Sequence, residues 1–298
     1  MRRFGPQRAL TTFAATYDAI GSVALGQPFR VRTADCYDGQ IADVDTLRPQ
    51  IDMTRFNRAT GPVAVEGVRA GEWVRICIDA IDLAEVGVMA LTPGLGVLGD
   101  KVAEPSTRLL AIRDGRAWLT DDVGVPLRPM VGILGVATSA ETVATSTPGE
   151  HGGNLDTRIL APGASLAVRA QQAGLGLAVG DLHAAMGDGE LGGTGIEIGG
   201  EVVLRVERLE RYSGRWPAVL DSDGVHVLAS RENLGDAVSD AFADAVDLMA
   251  RWHQLAWEDA YRLTSVVADV RISQVVNPRR TARLSIPASW CPAAFRQG

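Results

Sequence analysis

Between Gly180 and Glu197 the chain reads Gly-Asp-Leu-His-Ala-Ala-Met-Gly-Asp-Gly-Glu-Leu-Gly-Gly-Thr-Gly-Ile-Glu, setting four carboxylates (Asp181, Asp188, Glu190, Glu197) around one imidazole, His183. No Lys or Arg occurs from Ala170 to Leu204, so no basic neighbour in sequence neutralises them. Gathered in space, such carboxylates repel one another and raise each other's pKa unless a cation or a distant Arg compensates. Hard oxygen ligands plus an imidazole are what a divalent metal recruits. The eight glycines between 180 and 200 fit that reading, because a backbone that aims several side chains at one point needs sharp bends and close approach. The plainer alternative is a Gly/Asp-rich surface turn with solvated carboxylates. His183, with acidic residues two positions before it and five and seven after it, is expected to be a ligand.

Covalent catalysis fits the chain poorly. There is no Gly-x-Ser-x-Gly elbow, and amidases that use a catalytic lysine would have to draw on Lys101, the chain's one lysine, which has no serine or cysteine adjacent. Cys36 as a nucleophile competes with the commoner behaviour of a free cysteine as a small buried hydrophobe. Of the four histidines, His226 in an alternating strand and His253 on a helix read as packed or solvated, while His151 opens a Gly-Gly loop that could reach a site or lie exposed. What remains is a metal-activated water, for which the acidic segment supplies ligands.

The elements that must position these groups are mostly short apolar runs punctuated by Gly, Pro and Asp. Phe29–Thr33, Ser165–Arg169, 174–180, 201–208 and 224–229 read as strands, and 62–66 and 73–81 as two strands joined by the turn at 67–71. The Gly-rich stretch 93–99 lacks the spacing of a nucleotide loop and reads as a connector or a loop near the site. Later the period changes: Val238, Phe242, Ala245, Met249 and Trp252 recur as an amphipathic stripe, predicting a helix over about 236–257 with Asp240, Asp244, Asp247 and Arg251 on its wet face. A second helix over about 258–269 and a hairpin, 270–276 with 281–286 around a turn at Asn277, complete the pattern. The expected fold is mainly β, sandwich- or barrel-like, over residues 1–225, with an α+β portion over 226–298.

At 298 residues, 46% hydrophobic and 22% charged, the chain is long enough for one large globular domain or two. Its net charge of −7 argues against nucleic acid. Cys36, Cys77 and Cys291 are odd in number and far apart, so no disulfide framework is expected and a reducing cytoplasm fits. No stretch approaches a membrane span. A cytoplasmic homo-oligomer acting on a small molecule is the expectation, with the stripe of the long helix set against the sheet or a neighbouring subunit.

Five stretches, in order, resemble the acetamidase/formamidase family of amide hydrolases: Gly61-Pro-Val-Ala-Val-Glu-Gly67, Arg128-Pro-Met-Val-Gly-Ile-Leu-Gly-Val136, Gly152-Gly-Asn-Leu-Asp156, Gly180 to Glu190 with Gly193 to Glu197, and Val270-Arg-Ile-Ser-Gln-Val-Val-Asn277. The resemblance implies hydrolysis of short linear amides to carboxylate and ammonia, or of small lactams, with a divalent metal. Asp35, Asn154, Asp156, Asp181, His183, Asp188, Glu190 and Glu197 fall on its motifs. On that basis Asp35, Asp156 and His183 are assigned as ligands of the ion, zinc being favoured by a His/carboxylate set and calcium the alternative. Glu190, with Asp188 behind it, is assigned as the proton acceptor, and Asn154, Asp181 and Glu197 as substrate-side or supporting groups. The rival class is a non-catalytic β protein stabilised by a bound ion.

Overall fold

The computed structural model describes residues 1–295 and is mainly β. One nine-stranded sheet runs in spatial order Arg2–Phe4, Phe29–Thr33, Gly200–Arg208, Trp73–Leu83, Ser165–Arg169, Ala218–Leu220, Gly224–Arg231, Arg280–Pro287 and Asp269–Gln274. Phe29–Thr33 at its near end alternates as a half-solvated strand does, whereas Ser165–Arg169, Ala218–Leu220 and Gly224–Arg231 are buried nearly throughout. On Trp73–Leu83, Val74, Ile76 and Ile78 point into the core, while Arg75 points out and pairs with Glu207 at 2.6 Å.

A second sheet of eleven strands has Leu177–His183 at its centre, bonded to Met130–Gly135, Glu197–Ile198 and Ala59–Glu66. Both sheets feed one buried cluster, Phe29, Ile76 and Val202 from the first meeting Val65, Val131 and Leu182 from the second, so the sheets stack face to face. Strands Ala59–Glu66 and Trp73–Leu83 are joined by the expected turn but part into different sheets and do not pair. The first sheet runs through residue 225, with Gly224–Arg231 among its strands.

Two helices cover the far half of the first sheet. Helix α1, Leu234–His253, starts where the Asn233 side chain accepts from the backbone N–H groups of Gly235 and Asp236, and ends at Gln254 in the left-handed conformation. It buries Ala241, Ala245, Leu248 and Met249 against the chain's own sheet, so of the expected stripe Ala245 and Met249 are buried while Val238, Phe242 and Trp252 are half-buried. Asp244 corrects the expected wet face: it is buried, because its carboxylate accepts the backbone N–H groups of Arg215 and Trp216. Helix α2 spans Trp257–Val267. No helix among the described residues is long and apolar enough to cross a membrane.

Candidate functional site

The strand Leu177–His183 is buried along its whole length and carries Asp181 and His183. Residues two apart in a strand share a face, so these two side chains point to the same side while Leu182 enters the core. Glu197 lies directly opposite His183 in the register, which sets its Oε2 3.1 Å from His183 Nε2; Asp181 Oδ1 is 3.5 Å from the same nitrogen. Glu197 is itself held by the Thr194 hydroxyl and the Gly195 N–H, each donating to Oε1 at 2.9 Å.

Asp156 follows the strand Gly152–Asn154 and enters the cluster from the other flank. Glycine at 132 makes room for it: a Cβ there would lie 2.5 Å from Asp156 Oδ1 and 2.8 Å from Asp181 Oδ2. Glu190 arrives on a loop stitched to the terminal hairpin, Gly189 N donating to Ser273 O and Val275 N to Gly189 O. Three of the carboxylates, Asp156, Asp181 and Glu190, sit at positive φ (38°, 55° and 46°), a conformation that non-glycine residues hold at a cost of ~1–3 kcal/mol each and that collects at functional sites.

Ligand atoms of Asp156, His183 and Glu190 lie within 4.8 Å of one another, as do those of Cys36, Asp181 and Glu197. The structure does not bring Asp35 or Asp188 into the first group. Asp35 is half-buried and uses Oδ1 to accept the N–H groups of Tyr37 and Gly39, closing the turn that carries Cys36 and Tyr37 to the site. Asp188 takes a bidentate pair from the buried Arg283 at 3.0 and 2.9 Å, with Arg158 at 3.2 Å. Asn154 is buried beside Asp156 with its Oδ1 unpartnered. His151 is buried against Phe13, and burial, then the Arg279 charge, lowers its pKa to about 4.

Asn277, read from sequence as a turn residue and as the end of a family-like stretch but given no role in the site, belongs to it. Its amide donates to Asp156 Oδ2 at 2.6 Å and to the Asn154 carbonyl at 3.0 Å. The buried Gln274 fixes that turn, accepting from the N–H groups of Val276 and Asn277 and donating to Arg279 O and Thr281 Oγ1. The place of Asn277 at the end of the family-like stretch 270–277 was the available signal.

The cluster is electrostatically divided. Burial raises Asp181 and Glu190 well above the ordinary carboxylate range, Glu197 adding to the first and Asp156 to the second, and burial likewise raises Asp156. For His183 burial pulls down, but the Glu197 and Asp181 charges outweigh it and raise the imidazole well above its usual value. Glu197 is the mirror case, held down to about 2 because His183 and the hydrogen bonds it accepts overcome burial. Cys36 is pushed well up by burial and by the Glu197 charge.

A cavity of about 230 Å³ opens on this cluster. Asn154, Asp181, Glu190, Glu197 and Asn277 line it with polar groups, and Cys36, Phe56, Leu95, Val276 and Pro278 are among its other lining residues. A cavity of this size, with carboxylates and amides among its apolar lining groups, has the make-up of a small-molecule site.

The chain belongs to the acetamidase/formamidase family, whose sequence pattern matches residues 13–147 and 137–290. Its fold superposes on an acetamidase from Bacillus halodurans with a TM-score of 0.94 and 36% identity, covering 97% of this chain and 98% of that one. A predicted acetamidase/formamidase from Thermoanaerobacter tengcongensis gives the same score and identity, with 99% and 97% covered. Among its sequence relatives, the formamidase of Methylophilus methylotrophus is 26% identical over 248 residues, 63% of this chain and 60% of that protein. The chain thus spans less than two thirds of that relative's length.

Proposed function

We propose that the chain is an amidase that hydrolyses the C–N bond of short linear amides to carboxylate and ammonia, using a divalent cation held in the buried cluster. One observation carries the reading: His183 Nδ1 and Nε2, Asp156 Oδ1, Glu190 Oε2 and Glu197 Oε2 are all buried and none makes a hydrogen bond. His183 Nε2 is close to Glu197 Oε2, yet not aligned with it as a donor. Buried polar atoms are nearly always satisfied, and the unsatisfied ligand atoms of Asp156, His183 and Glu190, which lie within 4.8 Å of one another, fit a cation held by one ring nitrogen of His183 and the two carboxylates. Imidazole with carboxylates is a donor set suited to zinc. Asp156 and His183 would hold the ion, with Glu190 in reach of the same point.

Bound there, a divalent ion supplies a Lewis acid for the amide carbonyl and lowers the pKa of a water. The chain supplies the rest. Asn277 fixes the rotamer of Asp156 through its 2.6 Å hydrogen bond. Glu190, on the cavity wall with a free Oε2, takes a proton from the attacking water and returns it to the departing nitrogen; burial among like charges gives its carboxyl the proton affinity this needs. Cys36 remains a thiol, since burial and adjacent carboxylates oppose thiolate formation, and so lines the cavity without attacking.

The test pairs elemental analysis with ammonia release from formamide and acetamide, before and after dialysis against a chelator. The expected outcome is one or more equivalents of divalent metal, and a melting temperature that falls on chelation because an ion bound only to the native state stabilises it by mass action. Metal-free protein with full turnover and unchanged melting would overturn the role of the ion.

A further inference from the structure

The loop 92–98 meets the cavity at one side chain, Leu95, and its backbone explains why that side chain stays there. Within the loop Leu95 N donates to Thr92 O at 3.0 Å and Gly94 N to Gly99 O at 2.9 Å, closing it into a compact turn. Val97 N then donates to Leu191 O at 2.8 Å, docking the turn on the segment that follows Glu190. Two glycines make that docking fit. A Cβ on Gly96 would stand 2.7 Å from Leu191 O, and one on Gly193 would stand 2.5 Å from Leu95 Cγ. Leu95 is therefore clamped over Gly193 and lines the same cavity as the carboxylates.

We infer that Leu95 is the residue that limits acyl length, so that the site takes amides of one- and two-carbon acids and rejects longer ones. The inference rests on the amidase reading of the same site. A chamber of about 230 Å³ must hold the amide group, a water and the acyl chain together. In this reading Asp181, Glu190, Glu197, Asn154 and Asn277 orient the amide, which leaves the acyl chain to the part of the cavity lined by Leu95. Leu95 sits on a loop docked on the carboxylate segment through the Val97–Leu191 hydrogen bond and is itself outside the strands, so its truncation enlarges the chamber without opening the sandwich.

The experiment measures kcat/KM for formamide, acetamide, butyramide and hexanamide in the native protein, Leu95→Ala and Leu95→Phe. Leu95→Ala should raise the butyramide-to-acetamide ratio by about tenfold or more, the scale on which a pocket discriminates single methylenes. Leu95→Phe should act in the opposite direction, raising the formamide-to-acetamide ratio. A native protein inert on all four amides defeats the amidase reading itself. A native protein that is active, with ratios unmoved in both variants, defeats the assignment of Leu95 alone, as does an alanine variant that folds natively yet loses every substrate. Should Leu95→Ala melt early, the phenylalanine variant still decides.

Discussion

Two buried carboxylates, one under the helices and one in the cavity, are equally shielded and oppositely treated. Asp244 on α1 is 6% exposed and Glu190 is 7% exposed. Burial raises the pKa of both. Asp244, however, accepts the Arg215 N–H at 2.8 Å on one oxygen and the Trp216 N–H at 2.8 Å on the other, so its desolvation is offset by donors fixed in the backbone. Glu190 sits at positive φ, faces Asp156, and leaves Oε2 without a partner. Exposure alone cannot separate a structural carboxylate from a chemical one. The presence or absence of matched donors does, since an unsatisfied buried group is stable only where something else will satisfy it.

That contrast predicts a double dissociation. Glu190→Gln keeps the side-chain shape and removes a buried charge that repels Asp156; turnover should fall by roughly 10²-fold or more, the scale of a lost general base, while the melting temperature holds or rises. Retention of near-native ammonia release in this variant would hand the proton transfer to Glu197 or Asp181. Asp244→Ala should do the reverse. It strands two N–H groups beside the buried Trp216, at a cost of ~1–3 kcal/mol per unsatisfied group, and turnover per folded molecule should be unchanged. Urea unfolding and an active-site-normalised assay measure both quantities, and a loss of specific activity with intact stability would remove the distinction.

How far the sequence carried these assignments follows from the range of the forces involved. Period-two alternation places Phe29–Thr33 to the residue, a short apolar run places Ser165–Arg169 likewise, and the terminal hairpin and both helices fall within a few positions of expectation. The strand expected over 174–180 instead spans Leu177–His183, so Asp181 and His183 stand on a rigid central strand and not in a loop. Asp156, Asp181, His183, Glu190 and Glu197, drawn from two separate stretches, do meet. What spacing could not show is which carboxylate finds a donor elsewhere. Asp188 and Glu190 are two residues apart, yet Asp188 is claimed by Arg283, 95 positions downstream. Asp35 is spent on its own turn by backbone N–H groups that a one-dimensional pattern does not reveal. Asn277 was hidden for the converse reason, since a turn residue looks alike whether its amide faces water or Asp156.

The smallest effect is expected at His253, which sharpens the comparison from the helical side. It ends α1, is exposed, and makes one hydrogen bond through Nε2 to the Trp290 carbonyl at 3.0 Å, with the two rings edge to face at 5.8 Å. None of its contacts reaches the cavity walls. An exposed hydrogen bond contributes at the low end of the ~0.5–1.5 kcal/mol range, so His253→Ala should lower unfolding free energy by about 1 kcal/mol or less and leave kcat/KM for acetamide within error of the native value. The same chemical change at His183 removes a side chain that is wholly buried and flanked by Asp181 and Glu197, and should abolish bound metal and turnover together. If His253→Ala abolished activity while melting and metal content stayed put, the reacting groups would lie under the helices, and the unsatisfied cluster around His183 would need another explanation.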